Sequence, residues 1–409
     1  MVVYGTRPEA IKVAPVIKAL QNDPRFDLVT VATAQHRHML DQVIKLFDIV
    51  PDIDLDMLTP RQTLDGMTQR LLAELGPLIR RFRPDLVLVQ GDTTTAFAAS
   101  LAAFYERVPV AHLEAGLRTG DIWSPYPEEA NRRLITSLTA LHLAPTPASA
   151  ANLLAETVRP SSVVITGNTV IDAMLWAVAH SPGYGDPALD HLDADPAPVL
   201  LVTAHRRESW GRPLEQVGLA LAQVAAAEPQ LRVVIPLHRN PVVREALLPA
   251  LDGHRNITVV EPLDYAGFCR LMNRSHLILT DSGGVQEEGP SLGKPVLVMR
   301  DTTERPEGID AGTALLVGTD PEVIVPLVRT LLHDPTAYRR MANAVNPYGD
   351  GHAADRVIAA LAHFFGSGRP AEQFVPGLAA PTEPQGLIPT PRTSHPFDAA
   401  RVSAGPADR

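Results

Sequence analysis

ILTDSGGVQEEGPSLGKPVLVMRDTTER, residues 278–305, is the stretch from which the fold can be read. It opens inside an apolar run, Leu277 to Thr280, of strand length and with β-branched content. Asp281-Ser282-Gly283-Gly284 follows at once, and the next segment reads as a helix as far as Pro290. A strand that empties through Ser-Gly-Gly into a helix start aims several unpaired N–H groups at one point. Those donors and the positive end of the helix dipole suit a phosphate. Glu287 and Glu288 stand in the first turns, where a carboxylate can reach a ribose diol. A second strand, Pro295 to Met299, delivers Asp301 to Arg305 to the same sheet edge, where ligand crevices of open α/β sheets lie. Ser-Gly-Gly alone is an ordinary tight turn. Polar residues crowded on both flanking loops make the stretch read instead as half of a nucleotide-sugar site.

Outward from that stretch the same pattern recurs. Val2 to Tyr4 is a short strand that breaks at Gly5-Thr6-Arg7-Pro8-Glu9. Pro8 and Glu9 suit a first helical turn, and Ile11, Val13, Ala14, Val16, Ile17 and Leu20 continue at helical spacing. This turn lacks the G-x-G-x-x-G of dinucleotide folds, which argues against a tightly built NAD site. Further strands are expected at residues 28–33, 85–90, 109–113, 141–144 and 163–166, with a helix at 63–83. A second series follows at 199–203, 233–236, 257–260, 277–280, 295–299 and 314–317. Alternating β and α predicts parallel sheets with helices on both faces. The expected division is an N-terminal Rossmann-like domain over 1–168 and a second over 169–350. A closing helix over 351–365 and a disordered Pro-rich tail over 366–409 complete it.

At 409 residues the chain exceeds what one core usually supports. With 45% hydrophobic and 20% charged residues it has an ordinary globular composition. A formal charge of −10 argues against a nucleic-acid partner, which calls for a basic face. Cys269 is the only cysteine, so no disulfide framework and no thiolate metal site is expected. With no signal-peptide pattern and no apolar run of membrane length, a cytoplasmic protein away from membranes is expected.

Polar residues gather where strands end. Asp92, Glu114 and Glu128 come from three successive loops of the first half. Each alone could cap a helix; Gly91-Asp92-Thr93 fits that reading well and Glu114, before Ala-Gly, fits it poorly. Their convergence would supply acid and base partners with pKa values pushed apart by repulsion. His205 with Arg206, and His238 with Arg239, suit a phosphate or leaving-group contact from the opposite wall. His36 and His38 lack metal-ligand spacing, so no metal is expected.

Taken together, Gly5–Lys12 (GTRPEAIK), Gln90–Thr93 (QGDT), His112–Arg118 (HLEAGLR), Pro127–Arg132 (PEEANR), His205–Glu208 (HRRE), Asp281–Gly284 (DSGG), Gln286–Glu288 (QEE) and Asp301–Pro306 (DTTERP) resemble the non-hydrolysing UDP-N-acetylglucosamine 2-epimerases. The match runs in order over about residues 1–365. The resemblance implies the GT-B architecture: two Rossmann-like domains facing a cleft, no added cofactor, and a homodimer. It implies interconversion of UDP-N-acetylglucosamine and UDP-N-acetylmannosamine. Asp92, Glu114, Glu128 and His205 would be the catalytic residues. Ser282, Gly283, Gly284 and Glu288 would hold UDP, with Arg7, Lys12, His205 and Arg305 around the diphosphate and Phe268 on the same wall. Some bacterial members bind a second UDP-N-acetylglucosamine as an activator; the positions resembling that site are Gln35, His38, Arg61, Arg206 and His238. His38 stands where a Gln is usual.

The chemistry such a reaction needs is consistent with these groups. The C2 proton of the sugar is not beside a carbonyl, so UDP must leave C1 first, or nearly so, to acidify it. Elimination to a 2-acetamidoglucal and re-addition then requires donors for the departing diphosphate, carboxylates beside the oxocarbenium, and acid and base groups at C2. Which carboxylate is acid and which is base stays open. A hydrolysing epimerase, a relative acting on UDP-2,3-diacetamido-glucuronic acid, a GT-B glycosyltransferase and a catalytically silent nucleotide-sugar sensor are the rival readings.

Overall fold

Short β-branched runs build two sheets in the computed structural model, which describes residues 1–33, 43–57 and 63–377. The first holds β1 (Val2–Tyr4), β2 (Thr30–Ala32), β3 (Ile53–Asp54), β4 (Val87–Gln90), β5 (Val110–Leu113), β6 (Leu141–Ala144) and β7 (Val163–Ile165), in the order β3-β2-β1-β4-β5-β6-β7. The second holds β8 (Val199–Thr203), β9 (Arg232–Pro236), β10 (Ile257–Val260), β11 (Leu277–Thr280), β12 (Val296–Val298) and β13 (Ala314–Leu316), in the order β10-β9-β8-β11-β12-β13. Every pairing between these strands is parallel. Each order runs outward, returns and runs the other way, so the direction reverses between β1 and β4, and again between β8 and β11. Loops leaving neighbouring strands diverge at such a switch point and open a crevice.

Local chemistry fixes the first of those loops. Thr6 caps the Arg7–Asn22 helix and Glu9 completes a capping box, its Oε2 accepting from the backbone of Thr6 at 2.7 Å and of Gly5 at 3.0 Å. The other oxygen of Glu9 accepts from the Thr93 hydroxyl at 2.6 Å, tying the loop after β1 to the loop after β4. Gly5 is obligatory at this crossing: a Cβ would lie 2.3 Å from Thr33 Oγ1 and 2.6 Å from Thr95 Oγ1.

The largest core cluster draws on both sheets, through Tyr4 and Leu143 from the first and Leu201 and Ile278 from the second. The Thr169–His180 helix joins them with Ile171, Met174 and Ala177. The closing helix, Ala353–Phe364, adds Val357 and Leu361 to the same cluster. Asp172 caps that helix from outside, accepting from the backbone N–H groups of Ala353 (3.3 Å) and Ala354 (2.8 Å).

One expectation is corrected. The chain past Gly366 does not become structureless at once: Phe374 is buried, its N–H donates to Ile165 O at 2.7 Å, and Gln373 Oε1 accepts from Ile165 N at 2.6 Å. Residues 373–374 thus lie along the edge strand β7, with Arg356 over the Phe374 ring. An aromatic side chain that finds an apolar seat outweighs the Pro-rich composition around it. Residues 378–409 of the expected tail lie outside the described residues. Among the described residues, no helix is long and apolar enough to cross a membrane.

Candidate active site

The second sheet supplies one wall. β11 runs out into Asp281, and Ser282 occupies the N-cap of the Gly283–Ser291 helix without closing it by a side-chain bond. The N–H groups of Gly283 and Gly284 therefore stay uncapped by a side chain and reachable from solvent, while the N–H of Ser282 donates to Thr280 Oγ1 at 2.9 Å. Asp281 is buried beneath them and locks the neighbouring loop: its Oδ2 accepts from the backbone of His205 at 2.6 Å and of Arg206 at 2.7 Å. Its Oδ1 lies 2.9 Å from His205 Nδ1. Burial pushes the Asp281 carboxyl up, but His205 and these N–H donors outweigh it and hold the group below its usual range. The His205 ring faces that of His238 with centroids 6.1 Å apart. The Arg206 guanidinium covers Gly283, where a Cβ would come within 3.4 Å of it. Glu288 is buried behind Gly284 and accepts from Tyr265 Oη at 3.0 Å. Burial raises its carboxyl to about 7, with Arg7 and Lys12 near enough to oppose the rise. Phe268 is half-buried on the Tyr265–Arg274 helix and packs against the main core.

The first sheet supplies the facing wall. Glu114, directly after β5, sits in the left-handed region with φ of 66°, a conformation that costs a side-chain-bearing residue energy and occurs often at functional sites. Lys12 Nζ donates to its Oε1 at 2.5 Å, Gln90 donates to its Oε2, and Asn168 Nδ2 reaches Oε1 at 3.3 Å. Asp92 follows β4. It does not cap the next helix; Thr93 does, accepting from Ala96 N at 3.0 Å. Asp92 instead pairs with Arg132, through Nε at 2.8 Å and Nη2 at 2.7 Å, and its carbonyl accepts from Asn131 Nδ2 at 2.8 Å. Glu128 opens the helix that carries both partners, Glu128–Leu138, and positions 128, 131 and 132 share one helical side. Arg132 also pairs with the buried Glu129 at 3.0 Å, and its charge reaches Glu114, so Asp92 and Glu114 both face this cation while Glu128 lies on the helix that carries it.

The expected mutual repulsion among carboxylates is not what governs Glu114. Burial pushes its carboxyl up, yet Lys12, Arg305 and Arg132 together hold it below its ordinary value, because cations rather than acids face it. Lys12 keeps its charge by the same exchange: burial works against it, and Glu114 and Glu287 outweigh burial.

The walls meet in a buried polar chain. From Glu114 it passes through Asn168, whose Nδ2 also donates to Glu287 Oε2 at 2.9 Å, to the Glu287–Arg305 ion pair. Lys12, Glu114 and Arg305, chosen from three separate motifs, are thus joined directly or through one amide. Gln90, Arg132, Asn168 and Tyr265 were not singled out as site residues by the sequence. Gln90 and Arg132 carried a signal, since both lie inside motifs of the resemblance, Gln90–Thr93 and Pro127–Arg132. Of the residues resembling an activator site, Arg206 and His238 lie beside His205, while Gln35, His38 and Arg61 fall outside the described residues. Among the described residues no cluster of three or more His, Cys, Asp or Glu could hold a metal ion.

Two Rossmann-like parallel sheets with uncapped donors on one wall and carboxylates on the other define the GT-B class of nucleotide-sugar folds. The UDP-N-acetylglucosamine 2-epimerase family model matches residues 18–362. The UDP-N-acetylglucosamine 2-epimerase of Escherichia coli K12 is 53% identical over 366 residues, 88% of this chain and 97% of that protein. The enzyme of the same name from Bacillus subtilis is 50% identical, over 90% of this chain and 95% of that one. A crystal structure of a protein described as a UDP-N-acetylglucosamine 2-epimerase from Listeria monocytogenes superposes with a TM-score of 0.87 at 45% identity, covering 92% of this chain and 98% of that one. The Neisseria meningitidis enzyme bound to UDP-GlcNAc gives 0.79 at 47% identity, covering 88% and 99%. The chain belongs to the UDP-N-acetylglucosamine 2-epimerase family, and it is an isomerase.

Proposed function

We propose that this chain interconverts UDP-N-acetylglucosamine and UDP-N-acetylmannosamine by eliminating UDP to a 2-acetamidoglucal and adding it back. The observation that carries the reading is the joining of the two walls, Lys12–Glu114 to Glu287–Arg305 through Asn168. It links a carboxylate and two cations to the helix whose uncapped N-terminus suits a phosphate. Diphosphate would be received by the N–H donors of Gly283 and Gly284 and by Ser282, with Arg7, Lys12, His205 and Arg305 around it and Glu288 on the ribose. As the C1–O bond breaks, negative charge grows on the diphosphate and positive charge on the sugar. Asp92 and Glu114 would stabilise the oxocarbenium and move the C2 proton, with Glu128 as the further proton-transfer group. The two lobes, divided near Asn168, would close over the intermediate to keep water out. The working unit would be a homodimer, which sedimentation tests directly. A second nucleotide sugar near Arg206 and His238 would act as an activator, visible as a sigmoidal dependence of rate on substrate.

The deciding experiment is proton NMR of UDP-N-acetylglucosamine with the enzyme in D2O, with no acceptor and no NAD. Both UDP-sugars should appear with deuterium at C2. Free N-acetylmannosamine with UDP would instead establish the hydrolysing reaction, and an unexchanged C2 would end the elimination route. Asp92→Asn and Glu114→Gln should each lower turnover by about a hundredfold or more; near-normal turnover in both would overturn the assignment.

A further inference from the structure

Asn168 stands where the two lobes join, and each of its polar atoms has a separate task. It is nearly fully buried, and its backbone N–H donates to Tyr348 O at 2.7 Å. Its Oδ1 accepts from Val170 N at 3.1 Å, capping the Thr169–His180 helix that packs against elements of both sheets. With the carbonyl oxygen committed to that cap, the amide nitrogen must face the other way. It meets two carboxylates there, Glu114 of the first lobe at 3.3 Å and Glu287 of the second at 2.9 Å. An NH2 group has two hydrogens, one for each. No other residue type of this size combines a helix-capping oxygen with two donors on the same short stem.

The four charges around it balance: Lys12 faces Glu114, and Arg305 faces Glu287. The reading proposed above, on which this inference rests, assigns both cations to the diphosphate. A bound nucleotide would draw them off their carboxylates, leaving two buried acids facing one another across a single amide. Burying a carboxylate that has lost its partner is costly unless hydrogen bonds replace it.

We propose that Asn168 is a positioning residue of the epimerisation: its amide holds the Glu114 carboxylate in register with the nucleotide wall once the diphosphate has engaged Lys12 and Arg305. It touches no reacting atom and acts through Glu114. Both of its hydrogen bonds already stand in the free enzyme, so most of their free energy cancels from nucleotide binding and their loss falls on turnover.

Two substitutions separate this role from helix capping, since Ser and Asp cap about as well as Asn. Asn168→Ser keeps a capping oxygen but cannot span both carboxylates, and Asn168→Asp sets a third acid between them. Full-length wild type and both variants are compared by the NMR assay in D2O, by calorimetric titration with UDP, and by thermal melting. For Asn168→Ser, kcat should fall about tenfold or more while UDP affinity stays within about threefold, with Asn168→Asp slower still. Wild-type-like kcat in Asn168→Ser overturns the proposal. So does a parallel loss of kcat, UDP affinity and melting temperature in that variant, which is what a merely structural tie between the lobes would give. If the wild type itself places no deuterium at C2, it is the epimerase reading that has failed; if the wild type exchanges and Asn168→Ser matches it, only the role of Asn168 has.

Discussion

Glu114 and Glu288 are both buried carboxylates on facing walls, and their surroundings push them in opposite directions. Glu114 is met by Lys12, with Arg305 and Arg132 behind, and is held ionised. Glu288 is met by a neutral phenol, and burial raises it to about 7. If the ionised form of Glu288 receives the ribose hydroxyls, affinity for UDP-N-acetylglucosamine should be full above that value and weaken as pH falls through it. The diphosphate diester does not titrate near neutrality, and the Glu288→Gln variant keeps the neighbouring histidines, so the difference between wild type and variant in calorimetry at pH 6, 7 and 8 reads the carboxyl. Glu288→Gln should bind more weakly at pH 8, by about tenfold, and lose most of the pH dependence. A wild-type affinity flat across this range would remove Glu288 from the ribose contact. At this scale the sequence was legible where charged residues sit in motifs, as with Lys12, Glu114 and Arg305. It was not legible for Asn168 or Tyr265, because a capping Asn and a helix-start Tyr are ordinary locally and gain their meaning only from residues more than twenty positions away.

Elements were legible because apolar runs between turn residues have few alternatives. β8, β10 and β11 begin and end where the runs do, while β3, a single isoleucine followed by an aspartate, carried no pattern to find. The helix after β11 shows what local reading misses. Gly289 stands in its interior, where glycine normally weakens a helix. A Cβ there would come within 2.9 Å of Ile278 Cδ1 on β11 and of Val296 Cγ2 on β12. The glycine lets the helix settle closely onto those strands, and that closeness fixes the height of its N-terminal donors above the sheet. Gly289→Ala should therefore destabilise the protein by about 1–3 kcal/mol despite alanine's better helix propensity. Because it moves the donors, it should also weaken UDP binding. Urea unfolding and UDP titration of the variant test both parts, and an unchanged midpoint would mean that the ends of Ile278 and Val296 simply turn aside.

Across the whole molecule, the closing helix returns from the second lobe to pack on the first, and two features hold it there. Phe374 seats beside Arg356 and Gly167, so Phe374→Ala should cost about 2–4 kcal/mol in a denaturant melt. The other feature is Asp172, a carboxyl raised by burial from 3.8 to about 7 even though two backbone N–H groups of the closing helix favour its charged form. The sign follows from proton binding. Between those two values the folded chain keeps this proton and the unfolded chain has lost it, so folding binds the proton. The stabilisation belonging to this group is complete below about pH 4 and is lost as pH rises through about 7. Its size is on the order of a few kcal/mol at most. Asp172→Asn removes the titration while keeping an oxygen for Ala354. The melting temperature of the variant, measured against wild type at pH 5, 6, 7 and 8, should gain on it steadily with rising pH and level off beyond about 7. A difference constant across those four points would mean that Asp172 is ionised throughout, with the helix N-terminus offsetting its burial. The closing helix would then be fastened by a charge, and its hold on the first lobe would weaken with salt rather than with alkali.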